Sequence, residues 1–308
     1  MDLTNGKKRP WYTDRITEYE QHDHKVKRWI TIKKNNIQQL AIAELFSFGR
    51  CLIIDDDIQS CESDEYIYHE ALVHPAMISH GSPSNVLILG GGEGATLREA
   101  LKYKTVSKAT MVDIDDTVIK ICRKYMPSMS NGAFEDPRTE LVIQDAKQFV
   151  SDTREHFDVI ISDLSSPVKG GPAYQLYTKE FYRTLKTKLS HHGIFSAQVD
   201  SCSPISIKVP VSIYKTLRMV FSEVQLYTCY IPSFDSLWGF ILATDDVKNL
   251  KINRKEIDRR LSTVVSGNTL FYDGQTHEGM FALPRDIRNR LSKPTRAISI
   301  KNPLFIYK

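Results

Sequence analysis

The sequence predicts an α/β protein, a doubly wound and mostly parallel sheet with a small antiparallel β-unit in front of it. Two textures carry this. Up to about residue 65 the chain has short alternating runs bounded by turn residues. From about residue 66, buried-type strands alternate with helical stretches at intervals of about 25–30 residues, the rhythm of βα units. A third sign is a glycine cluster placed directly between the first such strand and the next helix.

In the first texture, Arg28–Ile32, Gln38–Ala43 and Arg50–Ile54 read as strands, with Lys33–Asn36 and Phe48-Gly49 as turns. Such a unit is too small for a core of its own and should pack on the rest of the chain or on another subunit. In the second, Asp64–Ile78 has a helical pattern with Ser63 or Asp64 as N-cap. Asn85–Leu89 is an unbroken apolar run, as expected for a strand buried on both faces. Helices near 95–102, 116–125 and 178–189 separate strands at Ala109–Asp113, Leu141–Ile143, Phe157–Ser162 and Gly193–Ala197. Glu223–Tyr230 and Trp238–Ala243 add an antiparallel edge, and the charged tail after about 245 is partly helical. The predicted division is 1–65 for the β-unit and 66–308 for the larger domain.

Composition narrows the class. The chain of 308 residues is 41% hydrophobic and 25% charged, ordinary values for a globular protein. A net charge of +4 is too thin a surplus to argue for nucleic acid. No run of about 18 apolar residues predicts a membrane span, and the first fifteen residues have no apolar stretch like a secretory signal. Five widely spread cysteines without a C-x-x-C pair predict buried free thiols in a reducing, cytoplasmic setting, with neither a disulfide nor a zinc site.

The chemistry concentrates at strand ends. Gly90-Gly-Gly-Glu-Gly-Ala-Thr96 follows a strand and opens a helix, and Gly90, Gly92 and Ala95 satisfy the relaxed G-x-G-x-x-G/A fingerprint of nucleotide-binding Rossmann-like sheets. Asp113 ends the next strand, where an acid can accept both ribose hydroxyls. Asp145 and Asp163 follow two further strands. Ligands sit outside the carboxyl ends of parallel strands, so Glu93, Asp113, Asp145 and Asp163 should share one crevice. Four acids together repel unless a cation offsets them. That favours a cationic nucleoside, a sulfonium, over a dinucleotide whose pyrophosphate would lie against Glu93. An acid inside the glycine loop also favours a ligand with an amine and no carboxylate, as in decarboxylated S-adenosylmethionine.

At these residues the sequence resembles the polyamine aminopropyltransferases, the spermidine and thermospermine synthases, from about Trp11 to Asp245. The resemblance is carried by Asp64-Glu-Tyr-Ile-Tyr-His-Glu70, Gly90-Gly-Gly-Glu-Gly94, Val112-Asp-Ile-Asp115, Gln144-Asp-Ala146 and Gly170-Gly-Pro-Ala-Tyr-Gln-Leu-Tyr177. Glu93, the Gln175-Leu-Tyr177 run and Ile231-Pro-Ser-Phe-Asp-Ser-Leu-Trp-Gly239 look most like the plant-type thermospermine synthases. The resemblance implies a Rossmann-like, class I methyltransferase-like domain under a β-domain, usually in a homodimer, with a polyamine and the nucleoside sulfonium as substrates and no prosthetic group or metal. By position it implies that Gln38, His69 and Glu93 hold the aminopropyl end of the donor. Asp113 would take the ribose, and Asp145 and Ala146 the adenine. Asp163 would take the proton of the attacking amine, while Gln59, Tyr68 and Gln198 would line the acceptor channel.

One departure stands out. The family's Asp-x-x-Asp-Pro reads Asp163-Leu-Ser-Ser166-Pro167 here, so the second acid, which helps anchor the acceptor amine, is Ser166. A neutral hydrogen bond contributes about 1 kcal/mol where one to a charged group contributes about 1.5–3. Asp200, just past Gln198, could supply a replacement carboxylate. The expected activity is aminopropyl transfer to spermidine, giving thermospermine. Putrescine as acceptor, a different acceptor or methyl transfer, and a regulatory paralogue remain as alternatives. Elsewhere Gln21-His-Asp-His24 reads as a solvated polar loop, His191-His192-Gly193 as a helix end and turn, Lys7-Lys-Arg9 as a mobile tail, and Met126 and Met129 as packing.

Overall fold

The computed structural model describes residues 10–16, 19–167, 172–248 and 250–306. The Lys7–Arg9 cluster and Gly170-Gly171 of the fifth motif lie outside them. Among the described residues no helix is long and apolar enough to cross a membrane.

The chain opens with an antiparallel meander of five strands: β1 (Trp11–Arg15), β2 (Gln21–Lys34), β3 (Gln39–Leu45), β4 (Gly49–Ile54) and β5 (Asp57–Cys61). Strand alternation splits its side chains between two faces. Ala41, Ala43, Leu45, Cys51 and Ile53 form a small cluster with Tyr12, Val26 and Ile58. Leu40, Ile42 and Leu52 pack the other way, onto Ala95, Val118, Ile121, Met126 and Met129 of the larger sheet's helices. The meander therefore docks on the rest of the chain as expected, but it also has a modest core of its own. Asp55 and Asp56, both at positive φ, make the tight turn from β4 to β5.

The larger sheet has the order β11-β12-β10-β9-β6-β7-β8. Its strands are β6 (Asn85–Gly90), β7 (Lys108–Asp113), β8 (Thr139–Ile143), β9 (Phe157–Asp163), β10 (Leu189–Ser201), β11 (Glu223–Ile231) and β12 (Ser236–Thr244). β6 to β10 run parallel; β12 and β11 form the expected antiparallel edge. Strand order reverses at β6, which lies between β7 and β9, and that reversal opens a crevice at the carboxyl ends.

The helices are α1 (Glu65–His80), α2 (Ala95–Leu101), α3 (Asp116–Tyr125), α4 (Pro127–Ser130), α5 (Ala146–Asp152), α6 (Lys179–Lys186), α7 (Lys208–Arg218), α8 (Arg254–Val264), α9 (Gly274–Phe281) and α10 (Arg285–Ser292). α1 is buried from Tyr68 to Ser79, so its polar side chains must find partners inside the protein. Glu70 accepts three backbone N–H bonds, from Leu270, Phe271 and Tyr272, and Arg260 donates to the Ile78 carbonyl. These bonds dock the charged tail onto α1.

Several expectations are corrected. Cys51 and Cys61 are joined in a disulfide; ten residues apart, they stand directly opposite each other in the β4–β5 ladder, a pairing that sequence spacing alone did not signal. Cys122, Cys202 and Cys229 are buried free thiols. Gln21–His24 is strand, because β2 continues to pair with β1. His191 and His192 lie inside β10, which starts at Leu189, so α6 ends at Lys186. α7 went unread because Pro210 interrupts its pattern; it sits in the first turn, where proline is tolerated.

Candidate active site

The carboxyl ends of β6 and β9 touch. Gly90 stands at φ +82°, and a Cβ there would lie 2.3 Å from the Asp163 carbonyl oxygen. The Gly91 N–H donates to that same oxygen at 3.1 Å. At Gly92 a Cβ would lie 2.9 Å from the Asp113 carboxylate. Glycine here lets three strand ends converge without side-chain volume between them.

They converge on a cavity of about 460 Å³. Gln38, Gly90, Gly92, Glu93, Asp113, Asp145 and Ala146 line one part of it. Gln59, Tyr68, Asp163, Ser166, Gln198 and Asp200 line another. Of the residues singled out in the sequence, His69 alone does not line it; it stands behind Glu93.

His69 is nearly sealed, at 1% exposure, between two carboxylates. Its Nε2 meets Glu93 Oε1 at 2.7 Å, and its Nδ1 meets Glu65 Oε2 at 2.8 Å. Burial opposes the charged ring, but hydrogen bonds to Glu65 and Glu93 outweigh it and push His69 up to about 10. The ring is thus an imidazolium that donates from both nitrogens. One ligand atom each of His69, Glu93 and Asp163 lie within 4.8 Å of one another. Behind it, Arg98 Nη2 donates to Glu65 at 2.9 Å and Arg98 Nε to Glu99 at 2.9 Å, and Glu99 also meets His74 and Lys102.

Asp163 accepts from the Tyr68 hydroxyl at 2.7 Å and from the Thr96 hydroxyl at 2.5 Å. Burial, and then the charge of Glu93, push its carboxyl up to about 6 against the opposing pull of His69 and the two hydroxyls. Burial likewise pushes Asp113 up to about 6; the Asp115 N–H pulls it down, and Glu93 and Asp163 add to the rise. The crowding of acids read from the strand ends is therefore real, and a cation entering the cavity would lower both carboxyls. Asp145 instead caps α5, accepting from the Gln148 N–H at 2.9 Å.

Toward β10 the geometry depends on a bulge. The β10–β12 register shifts between Gln198 and Ser201, and Asp200 sits at φ +75°, uncommon for a residue with a Cβ. The bulge lets Asp200 as well as Gln198 face the cavity. Gln198 Nε2 donates to the Leu164 carbonyl at 2.6 Å and to Tyr177 Oη at 3.2 Å. Burial raises the Asp200 carboxyl, while hydrogen bonds from the Ser166 hydroxyl and the Ser201 N–H pull it down. Ser166 and Asp200 thus form a pair where the family motif would place a second acid.

Sequence reading missed several residues. Asp115 caps α3 and accepts from Gln38 Nε2 at 3.0 Å and Asn35 Nδ2 at 2.8 Å, joining the meander to the glycine-loop region. It stood in a quoted motif, but nothing local pointed to partners some eighty residues away. Thr96, Glu65 and Arg98 were likewise visible only once α1 met α2. Asp14 and Asp57 of the meander, Trp238, and Leu304 to Ile306 of the tail also line the cavity. The Trp238 indole N–H is buried with no hydrogen-bond partner among the described residues.

The chain is similar to proteins of known kind along nearly its whole length. A family model described as "Spermine/spermidine synthase domain" matches residues 65–255. A curated relative from Sulfolobus acidocaldarius, named polyamine aminopropyltransferase, is 46% identical over 96% of this chain and 97% of its own. One of the same name from Sulfurisphaera tokodaii is 43% identical over 96% and 98%. Among solved structures, a spermidine synthase in complex with the transition-state analogue AdoDATO superposes with a TM-score of 0.85 at 31% identity, covering 92% of this chain and 96% of that one. Spermidine synthase from Thermotoga maritima gives 0.84 at 30% identity, over 92% and 95%. With the glycine loop, the strand-end acids and the two-sheet architecture in place, these likenesses settle the kinship, and the chain belongs to the spermine/spermidine synthase family of polyamine aminopropyltransferases.

Proposed function

We propose that this protein transfers the aminopropyl group of decarboxylated S-adenosylmethionine to spermidine, forming thermospermine and releasing methylthioadenosine. The observation that carries the transfer chemistry is Asp163, held by Tyr68 and Thr96 on the rim it shares with Glu93. The choice of acceptor rests on Glu93, Gln175–Tyr177 and Ile231–Gly239, and gains support from Asp14 and Asp57, which line the cavity along with Asp163 and Asp200.

In this reading Asp113 takes the ribose hydroxyls, Asp145 and Ala146 border the adenine, and Gln38 and Glu93 receive the aminopropyl amine. His69 occupies one oxygen of Glu93 and leaves the other for that amine. The acceptor's primary amine lies between Asp163 and Asp200. It attacks the carbon next to the sulfonium; a C–N bond forms, the C–S bond breaks, and its electron pair stays on sulfur as a neutral thioether. The amine's proton passes to Asp163, whose carboxyl near 6 lets it serve as an anion at neutral pH. Holding both reactants in line contributes up to about 7–11 kcal/mol in ideal cases. The same reading takes residues 1–65 as the β-domain of a cytoplasmic homodimer, which light scattering would test.

The deciding experiment incubates the purified protein with the decarboxylated donor and either putrescine or spermidine, and separates products by a method that resolves thermospermine from spermine. Thermospermine in the spermidine arm is expected. Spermidine from putrescine at a higher kcat/KM would move the acceptor to the diamine. No methylthioadenosine in either arm would overturn the transfer itself. Calorimetry should show the decarboxylated donor binding at least about tenfold tighter than S-adenosylmethionine, since Glu93 and Asp163 leave a carboxylate poorly matched.

A further inference from the structure

The last described residues of the chain return to the cavity. After α10 the backbone crosses α6 and α7: the Ile298 N–H donates to Thr216 Oγ1 at 2.8 Å, and its carbonyl accepts from the Lys179 N–H at 3.0 Å. Ser299 and Asn302 then exchange two backbone hydrogen bonds, turning the chain. Leu304, Phe305 and Ile306 follow, and all three line the substrate cavity. These residues lie about fifty positions beyond the end of the matched family domain at residue 255.

They also grip both flanks of the segment after Asp163. On one flank the Ile306 N–H donates to the Pro167 carbonyl at 3.0 Å, one residue from Ser166. On the other the Phe305 ring packs against Tyr174 with centroids 5.6 Å apart. Leu304 and Ile306 pack on the core cluster containing Ala173, Leu176 and Tyr177. Leu304–Ile306 is thus tied to Pro167 and Tyr174, whose neighbours Ser166 and Ala173 line the cavity.

Resting on the aminopropyltransferase reading, we propose that Leu304–Ile306 is a substrate-binding element, an apolar wall that faces the aliphatic parts of the two substrates and fixes Pro167 and Tyr174 beside them. Its contribution is to binding, since it carries no group for proton transfer.

The test uses the full chain, a form ending at Asn302, Phe305→Ala, and Ile306→Pro, which removes the N–H that meets Pro167 while keeping an apolar residue. Calorimetry reads the Kd for methylthioadenosine, steady-state kinetics read KM and kcat, and limited proteolysis reads cleavage between 164 and 177. Truncation should raise Kd and the polyamine KM by about tenfold or more, with kcat within about threefold. Ile306→Pro and Phe305→Ala should each show at least about a threefold rise, and all three variants should be cut faster between 164 and 177. Folded Ile306→Pro and Phe305→Ala proteins with wild-type Kd, KM and cleavage would overturn the wall, whatever becomes of the truncated form. A wild-type protein that binds no methylthioadenosine would instead overturn the reading on which the wall rests.

Discussion

The two parts of the cavity are built in opposite ways. The part with Gly90–Glu93, Asp113 and Asp145-Ala146 comes from three consecutive strand ends of one parallel ladder, each residue lying where its strand stops. The part with Asp200 and Ser166 is gathered from β1, β5, α1, the segment after β9, the bulge of β10, β12 and the chain end. In the first, backbone geometry positions the chemistry and little else is free to vary. In the second, side chains from distant stretches set shape and charge, and a substitution such as Ser166 can be met by a neighbour such as Asp200. Under the proposed function, that difference keeps nucleoside recognition rigid and leaves the acceptor side adjustable.

Asp163 stands where the two parts meet, and removing its charge has the largest expected effect. Asp163→Asn should lower kcat about 10²–10⁴-fold while leaving donor affinity nearly intact, because an amide cannot take the amine's proton. Retention of more than about a tenth of the wild-type rate would show that another group is the base. The pH profile gives a second reading: wild-type kcat/KM should fall as pH drops through about 6, where Asp163 and Asp113 protonate in the free enzyme. Stability should move the other way. A carboxyl raised to about 6 in the folded state binds its proton more tightly than in the unfolded chain, so it costs stability above that pH, and the cost fades between about 6 and 3.8. Asp163→Asn should therefore melt higher than wild type at pH 8, and the gain should disappear near pH 4.

The same contrast explains what could be read from the sequence. The donor part is local: strand, glycines, acid and helix follow one another within a few residues, and pattern alone located Gly90, Glu93, Asp113 and Asp163. The parallel order of strands followed from the βα rhythm. What stayed hidden is long-range. Nothing near Asp115 announces Gln38, nothing near Glu65 announces Arg98, and nothing in Leu304–Ile306 announces Pro167. Cys51 and Cys61 stayed hidden because β5 lacked a recognisable strand pattern, and His191-His192 was misplaced because a strand's exposed end reads like a turn.

On the acceptor side, the Ser166–Asp200 pair turns an ambiguity of the sequence into a prediction of intermediate size. Had Ser166 simply weakened an anchor, Ser166→Asp would tighten the acceptor. Because Ser166 stands close enough to Asp200 to lower its carboxyl, Ser166→Asp places a second carboxylate beside a buried one and should raise the polyamine KM instead. Asp200→Asn should raise that KM about tenfold with little change in donor Kd, the scale of exchanging a charge-assisted for a neutral hydrogen bond. A lower KM in Ser166→Asp would return the weakened-anchor account.

The smallest expected effect sharpens the donor side, and it concerns a residue outside the cavity. Glu65 holds His69 from behind and is itself held by Arg98. Glu65→Gln removes one of the two carboxylates that keep the imidazole charged, so His69 should titrate well below about 10. Glu93 would then lose part of its cationic partner and the fixed orientation that goes with it. Donor Kd should rise about three- to tenfold, while the acceptor KM stays put. Histidine NMR should report the titration directly. The stability linkage has a defined sign. A histidine raised in the folded state contributes stability below its unfolded value of 6.5, and that contribution is lost as pH rises toward about 10. Wild-type Tm should therefore decline across that window more steeply than that of Glu65→Gln. Glu99→Gln is the contrast within the same charge chain. It strips a carboxylate from His74, Arg98 and Lys102, which lie away from the cavity, and should lower Tm without moving donor Kd. Equal donor affinity in Glu65→Gln and wild type, with His69 shown to have shifted, would mean that the imidazolium steadies the fold and leaves the donor to Glu93 alone.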